Sequence, residues 1–255
     1  MKSENVRIAL LGDVHANLPA LEAVLGHAQT LGVKEFWNIG DFVGYSAFPE
    51  QVVNEMRKPG FSNIIGNYDL KVLKFPQLDK KWRTKKHPLK RLAFKWAYEN
   101  LSPSSRAYLA DLPQELCLTV GDQNFLLVHA SLASNEELLD ALTPQARLKE
   151  LNNLAERKFK TSFAAIIFGH SHQAFTRQVG DTLFINTGSV GRPGDGNPRT
   201  GYAVMEIVDE TLWVSHYRLE YDLEKIITAN RKAGLPESFT QMILEGRDLE
   251  WILDN

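Results

Sequence analysis

The sequence is poor in cysteine, since Cys117 is the single one among 255 residues. An internal disulfide and a thiolate metal cage are therefore excluded, and a lone thiol suits a reducing compartment. Long hydrophobic runs are also missing. The apolar stretch near the amino end is about five residues long, below the 7 to 15 of a secretory signal, and no later run approaches the roughly 18 that span a bilayer. We expect a soluble, cytoplasmic protein with no membrane partner.

An excess of charge of one sign is lacking as well. The chain has 29 basic and 31 acidic side chains and a net charge of −2, which excludes attraction of the whole surface to nucleic acid or anionic lipid. Its 44% hydrophobic and 24% charged residues are typical of a globular protein. No internal repeat and no Ser/Pro-rich linker marks a boundary. We predict that residues 1–255 form one domain.

Short apolar runs alternate with helical patterns near the amino end. The runs at 6–11, 36–39 and 62–65 each stop directly before a glycine, and Pro19 and Pro49 open helical patterns after the first two. This alternation predicts a layered α/β fold whose amino-terminal strands are parallel and buried on both faces. In such sheets, ligands bind at the carboxyl ends of the strands.

The second half of the chain mixes helical patterns with β-strands. The runs at 116–120 and 124–128 flank Gly121-Asp122, a pattern that predicts a hairpin. Helical patterns at 136–142 and 144–159 follow. Further strands are predicted at 164–168, 174–179, 183–186, 202–208 and 212–219, the last four antiparallel, before a helical tail.

A basic segment lies in the middle of the chain. Residues 71–95 contain ten basic side chains and a single acid, Asp79, and apolar residues recur at helical spacing after Pro88. We interpret 71–112 as a basic helical cap insertion. Its charges are either a solvated helix face or an electropositive cap that attracts a phosphate-bearing substrate.

Side chains that can bind metal ions follow five of the predicted strands. They are Asp13 and His15 after the first, Asp41 after the second, Asn67 after the third, His129 after the hairpin, and His170 and His172 after the strand at 164–168. A single Asp-x-His or Gly-Asp is ordinarily a turn, so the indication comes from the ordered set. Nitrogen and oxygen donors without sulfur suit Mn, Fe, Co, Ni or Zn. Seven donors exceed the needs of one catalytic metal, so we predict two divalent metal ions that share a ligand.

Glycines directly precede four of these donors, namely Asp13, Asp41, Asn67 and His170. We expect these glycines to let the backbone turn sharply as each donor leaves its strand.

The sequence resembles the calcineurin-like metallophosphoesterases in five motifs, which occur in the family's order: GDVH at 12–15, GD at 40–41, GNYD at 66–69, HAS at 129–131 and GHSH at 169–172. The runs GDVHANLPALEAVL, GDFVGY and INTGSVGRP are most similar to the small phosphodiesterase-type branch. The resemblance extends over about residues 6–208.

This resemblance implies a four-layer αββα sandwich, two mixed β-sheets flanked by helices, with a two-metal centre at the strand ends. It implies one metal held by Asp13, His15, Asp41 and His172, and a second held by Asp41, Asn67, His129 and His170. The metals would turn a bridging water into hydroxide, which attacks a phosphate ester. We therefore expect a metal-dependent phosphoesterase that acts on a small phosphate ester.

The third motif departs from the family pattern, because Tyr68 stands where the family has histidine. In the family that histidine is thought to stabilise the transition state or protonate the leaving oxygen, with the neighbouring carboxylate, here Asp69, holding it. Tyrosine, with a reference pKa near 10, remains a neutral donor, and loss of a general acid costs about 10² to 10⁴ in rate. Monoesters with poor leaving groups suffer most, so we favour phosphodiesters. Tyr68 and Asp69 are the candidate catalytic residues.

Arg192 and Arg199 lie in the glycine-rich run 188–201 and are candidate substrate-binding residues, since arginine binds phosphate bidentately. The alternative is that both are exposed arginines of a loop with no role in substrate binding. Two other functions stay open. One is a catalytically weak or inactive binding or scaffold protein that retains the fold, although all seven donors are kept. The other, less favoured, is nucleic-acid binding through the basic segment, which would be strongly salt-dependent. The sequence leaves the substrate, the native metals and the oligomeric state undetermined.

Overall fold

Two β-sheets packed face to face form the middle of the protein. The structure, a computed structural model, describes residues 5–255, so residues 1–4 of the predicted domain lie outside the described residues. The strands are β1 (Val6–Leu11), β2 (Glu35–Asn38), β3 (Phe61–Asn63), β4 (Glu115–Val120), β5 (Gln123–Val128), β6 (Ala165–Phe168), β7 (Phe175–Val179), β8 (Thr182–Asn186), β9 (Thr200–Val208) and β10 (Thr211–Leu219). The helices are α1 (Leu18–Thr30), α2 (Pro49–Met56), α3 (Asn67–Leu73), α4 (Phe75–Lys85), α5 (Pro88–Glu99), α6 (Pro103–Asp111), α7 (Gln145–Phe159), α8 (Leu223–Lys232), α9 (Glu237–Glu245) and α10 (Leu249–Asp254).

Both sheets are mixed. In the described part of the chain the first has the order β10-β9-β1-β2-β3 and the second β4-β5-β6-β8-β7. Strands β1, β2 and β3 are parallel, with Leu10 opposite Trp37 and Phe36 opposite Phe61. Strands β5, β6 and β8 are parallel between antiparallel edges. The predicted parallel amino-terminal strands and the hairpin at Gly121-Asp122 are confirmed.

The central strands contribute to two cores each, because successive side chains of a strand point to opposite faces. Ile8 and Leu10 of β1 pack between the sheets, whereas Ala9 and Leu11 face α1 and its neighbours. The side chains of β5 divide in the same way between the sheet interface and α7. Helices therefore cover the outer face of each sheet, and the predicted four-layer arrangement of two mixed sheets flanked by helices is confirmed.

The predicted cap insertion at 71–112, which contains the basic segment, forms the helices α4, α5 and α6 after the last turn of α3. Asp79 of α4 pairs with Arg83 at 3.1 Å and with Arg91 of α5 at 2.5 Å, which ties the first two helices together. Trp82 and Phe94 pack with their ring centroids 5.0 Å apart and are buried in the core above the first sheet. The helical pattern after Pro88 is confirmed, while the role of the segment as a cap stays a prediction.

The helix predicted at 136–142 is wrong. These residues belong to an irregular connection at 129–144, here called the β5-α7 loop, in which Leu138 and Leu142 are 71% and 88% exposed. The Oγ atom of Ser131 accepts hydrogen bonds from two loop amides at 3.1 Å. Such contacts between short side chains and the backbone compete with helix formation. Of the three leucines at 136–142, Leu139 alone is buried, so the segment has no continuous apolar face to offset them.

The helical tail is confirmed as α8, α9 and α10. Phe239 and Met242 of α9 pack with Tyr45, Ala93 and Leu249 in a small core beside α5. Among the described residues, no helix is long and apolar enough to cross a membrane.

Candidate metal centre

The seven predicted ligands lie at the carboxyl ends of strands from both sheets. They are Asp13 and His15 after β1, Asp41 after β2, Asn67 as the first residue of α3 after β3, His129 after β5, and His170 and His172 after β6. Backbone hydrogen bonds join these ends, for example from Asp13 N to Gly40 O at 3.0 Å and from Gly169 N to His129 O at 2.9 Å. Two packed sheets thus bring distant parts of the chain to one place.

Five of the predicted ligands form two overlapping groups. Asp13, His15 and His172 form one, and Asp13, Asp41 and His129 form the other; within each group the possible ligand atoms lie within 4.8 Å of one another. The Oδ2 atom of Asp41 is 3.7 Å from His15 Nε2 and 3.6 Å from His129 Nε2. Asp13 is the residue that both groups share. Asp41 lies between an imidazole of each group, where a bridging ligand would be needed.

Asn67 and His170 border the second group. The Oδ1 atom of Asn67 is 3.2 Å from His129 Nε2. The ring centroids of His170 and His129 are 5.1 Å apart, and the backbone amide of His170 donates to Asp13 Oδ2 at 3.0 Å. The ring nitrogens of His170 belong to neither group, so this residue lies at the edge of the cluster.

Two imidazoles are oriented by backbone carbonyls. His129 Nδ1 donates to Ile39 O at 2.8 Å, and His172 Nδ1 donates to Arg192 O at 2.5 Å. A carbonyl can only accept a hydrogen bond, so in the neutral form of each ring Nδ1 carries the proton and Nε2 keeps its lone pair. This is the arrangement in which an outer contact orients a metal-binding histidine.

In that form, the lone pairs point at oxygen atoms that are themselves acceptors. His129 Nε2 faces Asn67 Oδ1 and Asp41 Oδ2, and His172 Nε2 lies 3.4 Å from Asp13 Oδ1. Asp13 Oδ1 is buried without a hydrogen-bond donor. Buried acceptors that face one another repel unless a positive charge lies between them. The residues therefore fit a cation site.

Charge and burial in the cluster also favour a cation. Burial and the neighbouring Asp13 raise the pKa of Asp41 to about 8. Burial acts in the same direction on Asp13, but the nearby His172 and other imidazoles hold the pKa of Asp13 below its usual value. Burial lowers the pKa of His15, and that of His170 to about 4. The imidazoles of His15 and His170 are thus neutral, and two buried carboxylates need a positive charge to ionise together.

Left-handed backbone conformations concentrate at the predicted ligands. Positive φ angles occur at Asp13 (53°), His15 (47°), Asp41 (56°), His170 (64°) and His172 (60°). Residues other than glycine rarely adopt this region, and each instance costs about 1 to 3 kcal/mol. The surrounding fold over-determines these conformations, as is typical of functional sites.

The glycines before the ligands act mainly by letting other atoms approach the backbone closely. This corrects the prediction that they let the backbone turn sharply. Of the four, only Gly40 has a positive φ, +97°. A Cβ atom on Gly66 would lie 2.1 Å from Asp41 Oδ1, and one on Gly169 would lie 2.5 Å from Asp13 Oδ2. The missing side chains let ligand carboxylates pack directly on the neighbouring backbone.

Tyr68 lies beside the cluster and pairs with a second tyrosine. Its hydroxyl is 2.5 Å from the Tyr45 hydroxyl, and its ring meets the His15 ring edge-on with centroids 5.1 Å apart. Burial raises the pKa of Tyr68 well above its usual value, so the phenol is neutral. Sequence reasoning did not select Tyr45 as functional, since only the fold brings it to Tyr68.

Asp69 is held by backbone amides. Its carboxylate accepts hydrogen bonds from Gly66 N at 3.0 Å and Val43 N at 3.2 Å. Burial, together with the charge of Asp41, raises the pKa of Asp69 to about 7. In this position Asp69 fastens the loop after β2 to the first turn of α3, which carries Asn67 and Tyr68.

The two candidate arginines occupy different surroundings. The Arg192 guanidinium lies 4.3 Å from the centroid of the Tyr45 ring, and its Nε is buried without a hydrogen-bond partner. Arg199 is exposed, and its Nε donates to Asn197 Oδ1 at 3.1 Å. Arg192 therefore borders the cluster, whereas the hydrogen bonds of Arg199 hold it to its own loop.

Comparison with known proteins agrees with this fold. The calcineurin-like phosphoesterase superfamily domain matches residues 6–210, and the chain belongs to that superfamily. An uncharacterised protein of Methanocaldococcus jannaschii is 28% identical, with 94% of this chain and 98% of that protein covered. A crystal structure of a metallophosphoesterase from Sphaerobacter thermophilus is 28% identical with a TM-score of 0.72, covering 95% of this chain and 100% of that chain. A hypothetical protein of Pyrococcus horikoshii shares the fold, with 20% identity, a TM-score of 0.83, and 94% and 98% coverage.

The resemblance drawn from the five motifs is confirmed, and the matched range contains all seven predicted ligands. The family is metal-dependent, and the described residues provide candidate metal-ligand groups. Membership supports a hydrolase that acts on ester bonds.

Proposed function

We propose that this protein is a two-metal phosphoesterase that prefers phosphodiesters. Its main support is the placement of two imidazole Nε2 atoms, on His129 and His172, that face buried oxygen acceptors at 3.2 to 3.6 Å. Such an arrangement is unfavourable without positive charge between the atoms and favourable with it. Two groups that overlap at Asp13, with Asp41 within 3.7 Å of an imidazole of each, suit two ions.

The ligand assignment follows the family pattern residue by residue. One ion would be held by Asp13, His15, Asp41 and His172, and the other by Asp41, Asn67, His129 and His170. The donors suit divalent Mn, Fe, Co, Ni or Zn. When bound, such ions supply a water of lowered pKa and neutralise charge on the phosphate.

The remaining residues orient this centre and meet the substrate. The carbonyl groups of Ile39 and Arg192 keep two imidazoles in the ligating tautomer. Asp69 holds the first turn of α3 in place. Tyr68 offers a neutral hydrogen-bond donor beside the cluster, where a protonated histidine would offer a charge. An ester whose leaving group needs little protonation therefore suits the site best, which favours activated phosphodiesters over monoesters.

Purified protein supplied with Mn²⁺ should hydrolyse bis(p-nitrophenyl) phosphate faster than p-nitrophenyl phosphate. The Asp41→Asn and His129→Ala variants should lose this activity and bound metal together. Asp79→Asn, the same change at an ion pair between α4 and α5 in the basic segment, is the matched control and should retain both. A preparation that binds metal normally but turns over neither ester would overturn the proposal and favour a binding or scaffold role.

A further inference from the structure

A row of cationic and aromatic side chains borders the candidate metal centre. The Arg192 guanidinium lies 4.3 Å from the Tyr45 ring centroid, the Tyr45 and Tyr68 centroids are 5.3 Å apart, and Lys71 Nζ lies 5.4 Å from the Tyr68 centroid. These four residues are called the cation-tyrosine row. Its two ends are positive, and its middle consists of two hydrogen-bonded phenols.

The row runs along the candidate metal centre from one ligand group to the other. At one end, Arg192 accepts the hydrogen bond from His172 of the first group through its carbonyl. At the other end, Lys71 follows Asn67 by four residues on α3, so both side chains leave the same face of the helix. The Tyr68 ring contacts His15 on one side and Lys71 on another. Lys71 therefore lies beside the metal ligands without being one of them.

Lys71 is paired with an acidic residue of a loop. Its Nζ lies 2.8 Å from Oε1 of Glu136, which belongs to the β5-α7 loop. The Lys71 side chain is 19% exposed and that of Glu136 is 55% exposed. An ion pair with an exposed partner contributes little to stability. A ligand group of higher charge can therefore displace the carboxylate from the lysine at little cost.

The other paired cations of the basic segment differ from Lys71. Arg83 and Arg91 pair with Asp79 inside the segment, Lys90 with Glu250 of α10, and Lys95 with Glu99 one turn along α5. These contacts hold helices together or stabilise one helix. The Lys71 pair instead joins α3 to the β5-α7 loop beside the site.

We propose that Lys71 is a substrate-binding residue that takes a second phosphate group of the substrate, and that Glu136 holds this lysine until the phosphate replaces it. Arg192 supplies positive charge at the opposite end of the row. The substrate class is then a phosphate ester that carries a further phosphate beyond the one at the metal centre. The inference rests on the proposed function for the position of the cleaved ester. Lysine binds phosphate as a point charge, and such a bond to a charged group changes affinity by about 10- to 100-fold.

Isothermal titration calorimetry with two matched probes tests this assignment. Adenosine 3′,5′-bisphosphate and adenosine 5′-monophosphate differ by one phosphate and are titrated into the Mn²⁺-loaded protein. We expect the wild type to bind the bisphosphate at least about tenfold tighter. Lys71→Met should reduce this preference to within about threefold, Lys71→Arg should restore it, and Glu136→Gln should increase it. Lys95→Met removes a helix-surface lysine and should keep the preference.

Equal binding of the two probes by the wild type would overturn the inference, as would a Lys71→Met variant that weakens both probes alike. Thermal unfolding of each variant shows whether the fold is retained, and recovery in Lys71→Arg separates lost charge from lost packing. Calorimetry needs no turnover. A Lys71-dependent preference without ester hydrolysis would overturn the proposed function and leave the ligand site standing, whereas hydrolysis without the preference would overturn this inference alone.

Discussion

The backbone amide of Tyr68 donates a 2.7 Å hydrogen bond to Oδ1 of Asp41. Asp41, whose Oδ2 lies between the imidazoles of His15 and His129, is therefore fastened to the first turn of α3. Gly66 packs against the same carboxylate from the other side, where any Cβ atom would lie 2.1 Å from Oδ1 and 2.2 Å from the Asp41 backbone nitrogen. The position of Asp41 thus depends on a backbone approach that only glycine allows.

Gly66→Ala should displace Asp41 and destabilise the protein. Overpacking of this kind costs about 1 to 3 kcal/mol of unfolding free energy, and here the clash includes backbone that cannot rotate away. We expect at least that loss in chemical denaturation, together with loss of bound metal.

Gly26→Ala is the matched control, because Gly26 lies within α1 and a Cβ atom there would meet nothing within 4 Å. Alanine in a helix interior is more stabilising than glycine by about 0.5 to 1 kcal/mol of unfolding free energy. This variant should therefore be slightly more stable than the wild type. Equal effects of the two substitutions would show that Gly66 has no special packing role.

Tyr68→His should shift the preference from diesters towards monoesters. The substitution restores an imidazole that can carry a proton to the leaving oxygen, and a positioned general acid contributes about 10² to 10⁴ in rate. We expect the ratio of monoester to diester kcat/KM to rise at least about tenfold. Steady-state kinetics with the two p-nitrophenyl esters measures this ratio.

Tyr45→Phe is the comparison for that variant, because it removes the hydrogen bond between the two hydroxyls without adding an imidazole. It should produce no comparable rise in the monoester ratio. A rise in Tyr45→Phe equal to that in Tyr68→His would mean that the ratio reports the broken phenol pair and not a proton donor.

Glu50→Ala should destabilise the contact between α2 and the basic segment. The Glu50 carboxylate accepts hydrogen bonds at 2.9 Å from the amide and hydroxyl of Ser102 and the hydroxyl of Ser105, at the start of α6. Removal of the carboxylate leaves these donors without an acceptor, which costs about 1 to 3 kcal/mol of unfolding free energy. Glu55→Ala, on the same helix with an ion pair to Lys58 at the surface, should cost under about 0.5 kcal/mol.

The effect of Glu50→Ala should also depend on pH. Burial alone would raise the pKa of Glu50, but the hydrogen bonds from Ser102 and Ser105 outweigh it and hold this pKa below 4.5. A lowered pKa in the folded state stabilises the protein above the unfolded pKa, and that contribution disappears as the pH falls through the folded value. The difference in unfolding free energy between wild type and variant should therefore be full at pH 7 and shrink below about pH 4.5. A difference that grows on acidification would contradict this account.

Much of the sandwich was predictable from the sequence because its central strands are buried on both faces and stop where polar residues begin. The parallel strands ending before Gly12 and Gly40 show this directly. The third strand ends earlier than its apolar run, since the Ile65 amide donates to Pro113 O at 2.9 Å and leaves the sheet. Local pattern carries no information about that distant acceptor.

The helix at 136–142 was predicted wrongly for a similar reason: leucine spacing suggested an apolar face, but the fold offers Leu138 and Leu142 no surface to cover. Parts of the candidate site were also not predictable from the sequence. Tyr45 reaches Tyr68, and Glu136 reaches Lys71, only through tertiary packing. Ordered motifs indicated the ligand types, whereas the surroundings that would select a substrate had no motif.

Anomalous X-ray scattering from crystals soaked in Mn²⁺, recorded at the manganese edge, tests the central proposal most directly. We predict two anomalous peaks about 3.5 to 4 Å apart, the usual spacing of two-metal sites, one beside His15 and His172, the other beside His129, with Asp41 between them. No peak among these residues in the soaked crystals, or peaks only elsewhere on the surface, would contradict the account.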